Sequence, residues 1–278
     1  MTISSFTWYC GTTLPGEVMN AALEAYHFEP HFHDAWSVGA IVAGCCTFSC
    51  QGTQHIARRN DLVIIPPRAV HTGGTSATAL CYGMAYLETG WFDAHARRTH
   101  GAPVGLPAVV ISDAALCKRW AAALTRPDLS DAQRKQAISL ALLALLAKYG
   151  VRHPATPVPA TGGDACAELQ ASMRERDLPK ADVDGLARRW GMHRTTLSKR
   201  FAQRYGLPPD TWLRNWRAVK AKALIRDGVP LADVAAATGF ADQAHLTRVF
   251  KRIYGAAPGA LRKSSVGRPE CIDGEPKG

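Results

Sequence analysis

A near-repeat in the C-terminal third constrains the fold of this chain more than any other feature. Leu197, Phe201, Tyr205, Gly206 and Pro209 recur 49 residues later as Leu246, Phe250, Tyr254, Gly255 and Pro258. Upstream, Leu186 and Gly191 recur 48 residues on as Val234 and Gly239. Each copy reads as a short apolar helix, a glycine turn and a longer basic helix. That is the pattern of a helix-turn-helix, whose second helix lies in the DNA major groove.

In the first copy a leading helix is expected over 165–176, a support helix over 183–190 with Asp182 as its cap, and a recognition helix over 193–205. Leu197 and Phe201 lie four apart and face a core, leaving Arg194, Thr195, Ser198 and Lys199 on the other side. In the second copy the support helix spans 231–238, and Asp242 caps a recognition helix over 243–254. Leu246, Val249 and Phe250 face inward, while Gln243, His245, Arg248 and Lys251 face outward. Gln can pair with adenine and Arg with guanine through two hydrogen bonds each, and His245 and Lys251 can take bases or phosphates. One long helix over 209–227 separates the copies, and the two readers are expected roughly 34 Å apart, one turn of DNA.

Charge follows the repeat. The chain of 278 residues carries a net +10. From residue 164 onward there are 21 Lys/Arg against 13 Asp/Glu, and before it 12 against 10. A basic C-terminal half joined to a near-neutral N-terminal half suits a nucleic-acid module attached to something else. The N-terminus lacks the basic and apolar regions of a signal peptide, and no uncharged apolar run reaches the length of a membrane span, so a cytoplasmic protein with no membrane partner is expected. The eight cysteines show no CxxC pair or zinc-finger spacing and are expected to be reduced.

Residues 6–87 look β-rich, with short apolar or alternating runs at 36–42, 45–50, 62–65 and 79–86, punctuated by Gly, Pro and Asn. That spacing suggests a sandwich or barrel able to hold a small ligand. From about Trp91 the pattern turns helical, with candidates over 113–124, capped by Asp113, and over 131–149. Ile138, Leu142, Leu145 and Leu146 give the latter an apolar face. That face either packs on its own barrel or pairs two chains, and periodicity does not separate these.

Residues 164–263 resemble the DNA-binding domain of AraC/XylS-type transcriptional regulators. The resemblance rests on Gly239, Phe240, Asp242, Gln243, Leu246, Arg248, Phe250, Lys251, Gly255 and Pro258, which fall where that family's pattern has them. The first copy matches more loosely, with His193 where the family favours a Ser cap. His31, His33 and Asp34, followed by Pro66, Pro67, Arg68 and His71, resemble the two conserved blocks of a cupin barrel. The resemblance implies a multidomain α+β chain, with an N-terminal cupin-like β-barrel with trailing helices and a C-terminal all-α double helix-turn-helix. The expected layout is a sensing barrel at 1–90, a dimer-forming helical segment at 91–149, a linker at 150–163, the DNA-binding domain at 164–263 and a disordered tail at 264–278. By resemblance the domain has seven helices.

Cupin enzymes use such histidines as metal ligands together with a carboxylate. Here Ser37 and Val38 occupy the expected carboxylate position and neither coordinates well, so no metal and no cofactor are expected, although three His can still hold Zn²⁺, Ni²⁺ or Fe²⁺ with an open site. The other readings are an effector pocket lined by His31, His33, Trp36, His71 and Tyr82, and histidines that serve packing alone. Cys46, Phe48 and Cys50 share a strand face and read as small core residues or, less simply, as a thiol sensor.

These features imply an effector-responsive regulator, expected to activate transcription. Its partners would be a double-stranded DNA operator, a small-molecule effector, RNA polymerase and a second copy of the chain. The alternatives are a metal-binding cupin enzyme fused to a DNA-binding domain and a nonspecific architectural DNA binder.

Overall fold

The structure, a computed structural model, describes residues 4–75, 79–102, 104–106, 109–152, 164–175 and 180–261. These form two compact units. The first holds the chain up to residue 153 except Glu29–Phe32. The second holds Glu29–Phe32 and the helices from residue 164 onward. Most of the expected linker and all of the expected tail lie outside the described residues.

The first unit is built on β1 (Ser5–Tyr9), β2 (Gly16–Leu23), β3 (Tyr26–His31, whose last three residues group with the second unit), β4 (Trp36–Ala43), β5 (Cys45–Cys50), β6 (Thr53–Arg58), β7 (Asp61–Ile65), β8 (His71–Thr75) and β9 (Leu80–Leu87). After these come α1 (Thr89–His100), β10 (Val104–Gly105), β11 (Val110–Ser112), α2 (Ala114–Thr125), α3 (Asp131–Tyr149) and β12 (Val151–Arg152). The strands make a six-stranded sheet ordered β1-β2-β9-β4-β7-β11 and a four-stranded sheet ordered β3-β8-β5-β6. The expected cupin-like, strand-rich unit is thus present, as two sheets that are not closed into a barrel. Val151 and Arg152, at the start of the expected linker, pair with β10 as a short strand.

The period-2 alternation of a strand decides what each face of the larger sheet meets. Val18, Val38, Ala40, Leu62, Ile64, Ala85 and Leu87 turn to the helices and share one core with Phe92, Trp120, Leu124, Ile138, Leu142 and Leu145. Trp120 of α2 also donates its indole N–H to the Val38 carbonyl at 2.9 Å, which satisfies the polar atom that this aromatic carries into the core.

A capping box starts α3, with the Ser130 hydroxyl accepting from the Gln133 amide and the Gln133 side chain from the Ser130 amide. One turn in, Arg134 is fully buried. Its guanidinium donates to the Ala123 and Leu124 carbonyls, both at 2.9 Å, and to that of Arg126, so it closes the C-terminal end of α2.

The second unit is helical: α4 (Ala165–Glu175), α5 (Val183–Arg189), α6 (Arg194–Tyr205), α7 (Pro209–Arg226), α8 (Leu231–Ala237) and α9 (Gln243–Tyr254), closed by a 3-10 turn at Pro258–Leu261. The seventh expected helix is this turn. The 49-residue repeat becomes a repeated geometry. Two seven-residue support helices, α5 and α8, each precede a twelve-residue helix, α6 and α9. Leu197 and Phe201 in one copy and Leu246 and Phe250 in the other are all fully buried. Each long helix ends on a left-handed glycine, Gly206 at φ 75° and Gly255 at φ 76°. Gly239 turns the second motif at φ 74°, and a Cβ there would lie 3.1 Å from the Arg217 guanidinium. A side chain there would meet backbone strain, and the Arg217 guanidinium would have to give by a few tenths of an ångström.

Candidate DNA interface and sensor pocket

The reading faces of the two long helices differ. On α9, Asp242 adopts an extended conformation and accepts from the His245 amide at 2.6 Å, so the helix start is fixed by a strong cap. Gln243, Arg248 and Lys251 are exposed. His245 is half-buried, its ring edge-on to Phe240 with centroids 5.3 Å apart. On α6 the cap is His193, whose Nδ1 accepts from the Thr195 amide at 3.3 Å and pairs with the Thr195 hydroxyl at 2.8 Å. Arg194 leans to within 3.4 Å of Asp184. Thr195 and Arg194 are thus partly engaged inside the protein, whereas Lys199 is exposed and Ser198 half-buried.

His31, His33 and His71 are buried, and one donor atom of each lies within 4.8 Å of the other two. The His31 Nδ1 meets the Glu29 carbonyl at 2.6 Å and the His71 Nδ1 meets the Ala69 carbonyl at 2.9 Å. Where each Nδ1 carries the proton, Nε2 keeps its lone pair, as in ligating histidines. Burial lowers the His71 pKa to about 4, opposed by its bond to Ala69, so the ring is neutral at neutral pH. Among the described residues no carboxylate joins the three imidazoles, and Ser37, at the expected acidic position, is buried with an unpartnered hydroxyl. The cluster fits a zinc-, nickel- or iron-type ion held by three nitrogens, which would offer an open position to an anionic or oxygen ligand.

The His33 ring lies 5.1 Å from His71 and 4.8 Å from Tyr86, and Trp8 stacks on Tyr86 at 5.5 Å. Burial raises the hydroxyl pKa values of Tyr82 and Tyr86, in Tyr86 with help from Glu17, so both stay protonated donors. Trp36 does not belong with them and is corrected here. Its ring stacks on Phe92 of α1 at 4.2 Å, because the phase of β4 turns Trp36, Val38 and Ala40 to the helices. Tyr86 is the aromatic that stands beside His33 instead, with Glu17 near its hydroxyl. Tyr86 shares the face of Tyr82 four residues earlier, a signal the alternation contained, whereas β2 carried none. Burial raises the Cys46 and Cys50 thiol pKa values, which suits core residues better than a thiol sensor.

An AraC-like ligand-binding domain model matches residues 17–148, and a helix-turn-helix domain model matches residues 186–264. The chain belongs to the AraC/XylS family of transcriptional regulators. The virulence regulon transcriptional activator VirF of Yersinia enterocolitica is 30% identical over 99 residues, 35% of this chain and 36% of that protein. This match spans little more than a third of that relative's length. The arabinose operon regulatory protein of Salmonella typhimurium is 24% identical over 268 residues, 87% of this chain and 89% of that one. A crystal structure of ToxT from Vibrio cholerae shares the fold, with a TM-score of 0.53 at 12% identity, over 95% of this chain and 97% of that one.

Proposed function

We propose that this AraC/XylS-family chain is a cytoplasmic, one-component regulator that reads a DNA operator with α6 and α9 and answers to a small molecule held in its first unit. The observation that carries the reading is the doubled helix-turn-helix, each copy presenting polar and basic side chains on a capped twelve-residue helix. Gln243, Arg248 and Lys251 carry most of the base reading, with His245 beside them. Lys199, Ser198, Arg194 and Thr195 serve register on the backbone more than sequence. No helix among the described residues is long and apolar enough to cross a membrane.

Activation through RNA polymerase is the sense in which such a chain acts. A homodimer is part of the same reading, since Leu140 on α3 stands 55% exposed and pairing would cover it. A duplex selected from a random pool should outcompete bulk DNA by ~10³ or more at fixed salt. Sedimentation of the same sample should show two chains per complex. Equal competition by bulk DNA would make the chain an architectural binder.

The pocket reading places the effector against His31, His33, His71, Tyr82 and Tyr86. Since a ligand shifts only states it binds unequally, removing a contact should alter the response rather than DNA affinity itself. A His71→Ala chain should lose its response in a reporter driven by a promoter found by genomic binding mapping, yet bind the selected duplex as before. An unchanged response would take His71 out of the pocket. The triple-imidazole cluster favours one second reading, a metal-dependent enzyme joined to the same helical unit. Turnover by the metal-loaded chain would establish it, but its relatives are regulators, which points the other way.

A further inference from the structure

One row of the larger sheet gathers polar groups that its packing does not call for. Glu17 on β2 and Ser37 on β4 pair with Tyr86 of β9 from its two sides. The alternation that turns Val18, Val38 and Ala85 to the helices turns Glu17, Ser37 and Tyr86 to the opposite face, where His33 meets the Tyr86 ring. Both flanking residues are buried, Glu17 at 4% exposure and Ser37 at 1%. The Ser37 hydroxyl has no hydrogen-bond partner there. Leaving a buried hydroxyl so is costly, and a bound group that reached it would remove the cost.

The groups around that hydroxyl accept rather than donate. β1, β2, β4 and β9 hold no Lys or Arg, and Glu17 is the one charged side chain in them. Burial and then the Glu17 charge raise the Tyr86 hydroxyl pKa, so the carboxylate acts on this row. His71, whose ring lies 5.1 Å from that of His33, gives its Nδ1 proton to the Ala69 carbonyl and turns a lone pair outward at Nε2. Its ring is neutral at neutral pH. Beside these acceptors lies an apolar, aromatic wall. Trp8 stacks on Tyr86 at 5.5 Å, and the Tyr86 hydroxyl lies 3.9 Å from the Met19 sulfur.

An anionic head group would meet a carboxylate and a lone pair. An ammonium brings three N–H donors and a charge that both the carboxylate and the ring faces attract. We propose that the small molecule held in the first unit is an organic cation, a protonated amine on an apolar body. Its head sits among Glu17, Ser37 and the His33–His71 pair, and its body lies along Trp8, Met19 and Tyr86. This names the effector class and rests on the regulator reading above.

The test titrates the full chain, freed of metal by a chelator, with phenethylamine and with butylamine by calorimetry at neutral pH. Each amine is set against the alcohol and the carboxylate of like skeleton. At least one amine should bind about tenfold or more tightly than both its counterparts. Glu17→Gln keeps the volume and removes the charge. It should erase that preference while affinity for the alcohol stays within about twofold. Ser37→Ala serves in case the first variant fails to fold. It should leave the melting temperature of the unliganded chain unchanged or higher, since the hydroxyl it removes has no partner. It should also lower amine affinity about fivefold. A carboxylate bound as tightly as its amine, no measurable binding of either amine, or an intact preference in Glu17→Gln would overturn the proposal. A lower melting temperature with unchanged amine affinity in Ser37→Ala would make that residue structural and overturn it too. A failure of the regulator reading shows elsewhere, as no preference of the unaltered chain for any duplex, whatever the amines do.

Discussion

Phe250→Ala is expected to destabilise the helical unit by about 3–5 kcal/mol, the usual cost of emptying a fully buried aromatic site. The ring is fully buried, packs 4.4 Å from the Tyr254 ring within α9, and anchors the reading helix beside Leu246 and Val249. Tyr254 is itself covered by Lys222 of α7, whose ammonium sits 5.0 Å from the ring centroid. The cavity therefore opens at the junction of α7 and α9 and has little flexible material to collapse into it. Against a total stability of about 5–15 kcal/mol, this loss removes much of the margin of the unit. Urea unfolding should show a lower midpoint with an unchanged slope, and operator binding should disappear with the fold. A loss below about 1 kcal/mol would mean that the Leu and Phe positions of the repeat are not what holds the motif.

How much of this was legible in the sequence differs between the two units. In the helical unit the signals are local. Caps at Asp182 and Asp242, left-handed glycines at Gly206 and Gly255, and apolar pairs four apart place α5 to α9 within a residue or two of their expected bounds. The first unit is built from pairings distant in sequence. β9 lies between β2 and β4, an order that no local pattern encodes. β2 escaped notice because almost all its residues are buried, so apolar alternation is absent. The same two-sided burial explains Trp36. A strand covered on both faces gives an aromatic no sequence cue to its side.

Single side chains show the same limit. Arg134 reads as a solvated residue on an apolar helix, yet it is buried, because α2 ends where its guanidinium can take three carbonyls. The unequal reading faces were half legible. His193 at the cap of α6 marked the first copy as the weaker reader, and the structure adds that the cap also occupies the Thr195 hydroxyl.

The central claim is that α9 reads sequence through exposed side chains, with Arg248 chief among them. Arg248 stands exposed on the helix turn after the Asp242 cap, its body carried by a face whose other side is buried Leu246, Val249 and Phe250. An arginine so placed can take the O6 and N7 of one guanine, a contact worth about 1–3 kcal/mol of discrimination. A phosphate contact instead would weaken every sequence alike and lower the salt dependence of binding. The decisive measurement is the affinity of the full chain and of its Arg248→Ala variant for the selected duplex and for every single-base change in it. The account expects a loss of about 1–3 kcal/mol on the selected duplex, with preference relaxed at one base pair and kept elsewhere. An equal weakening on all duplexes, with the base preferences unchanged, would contradict it.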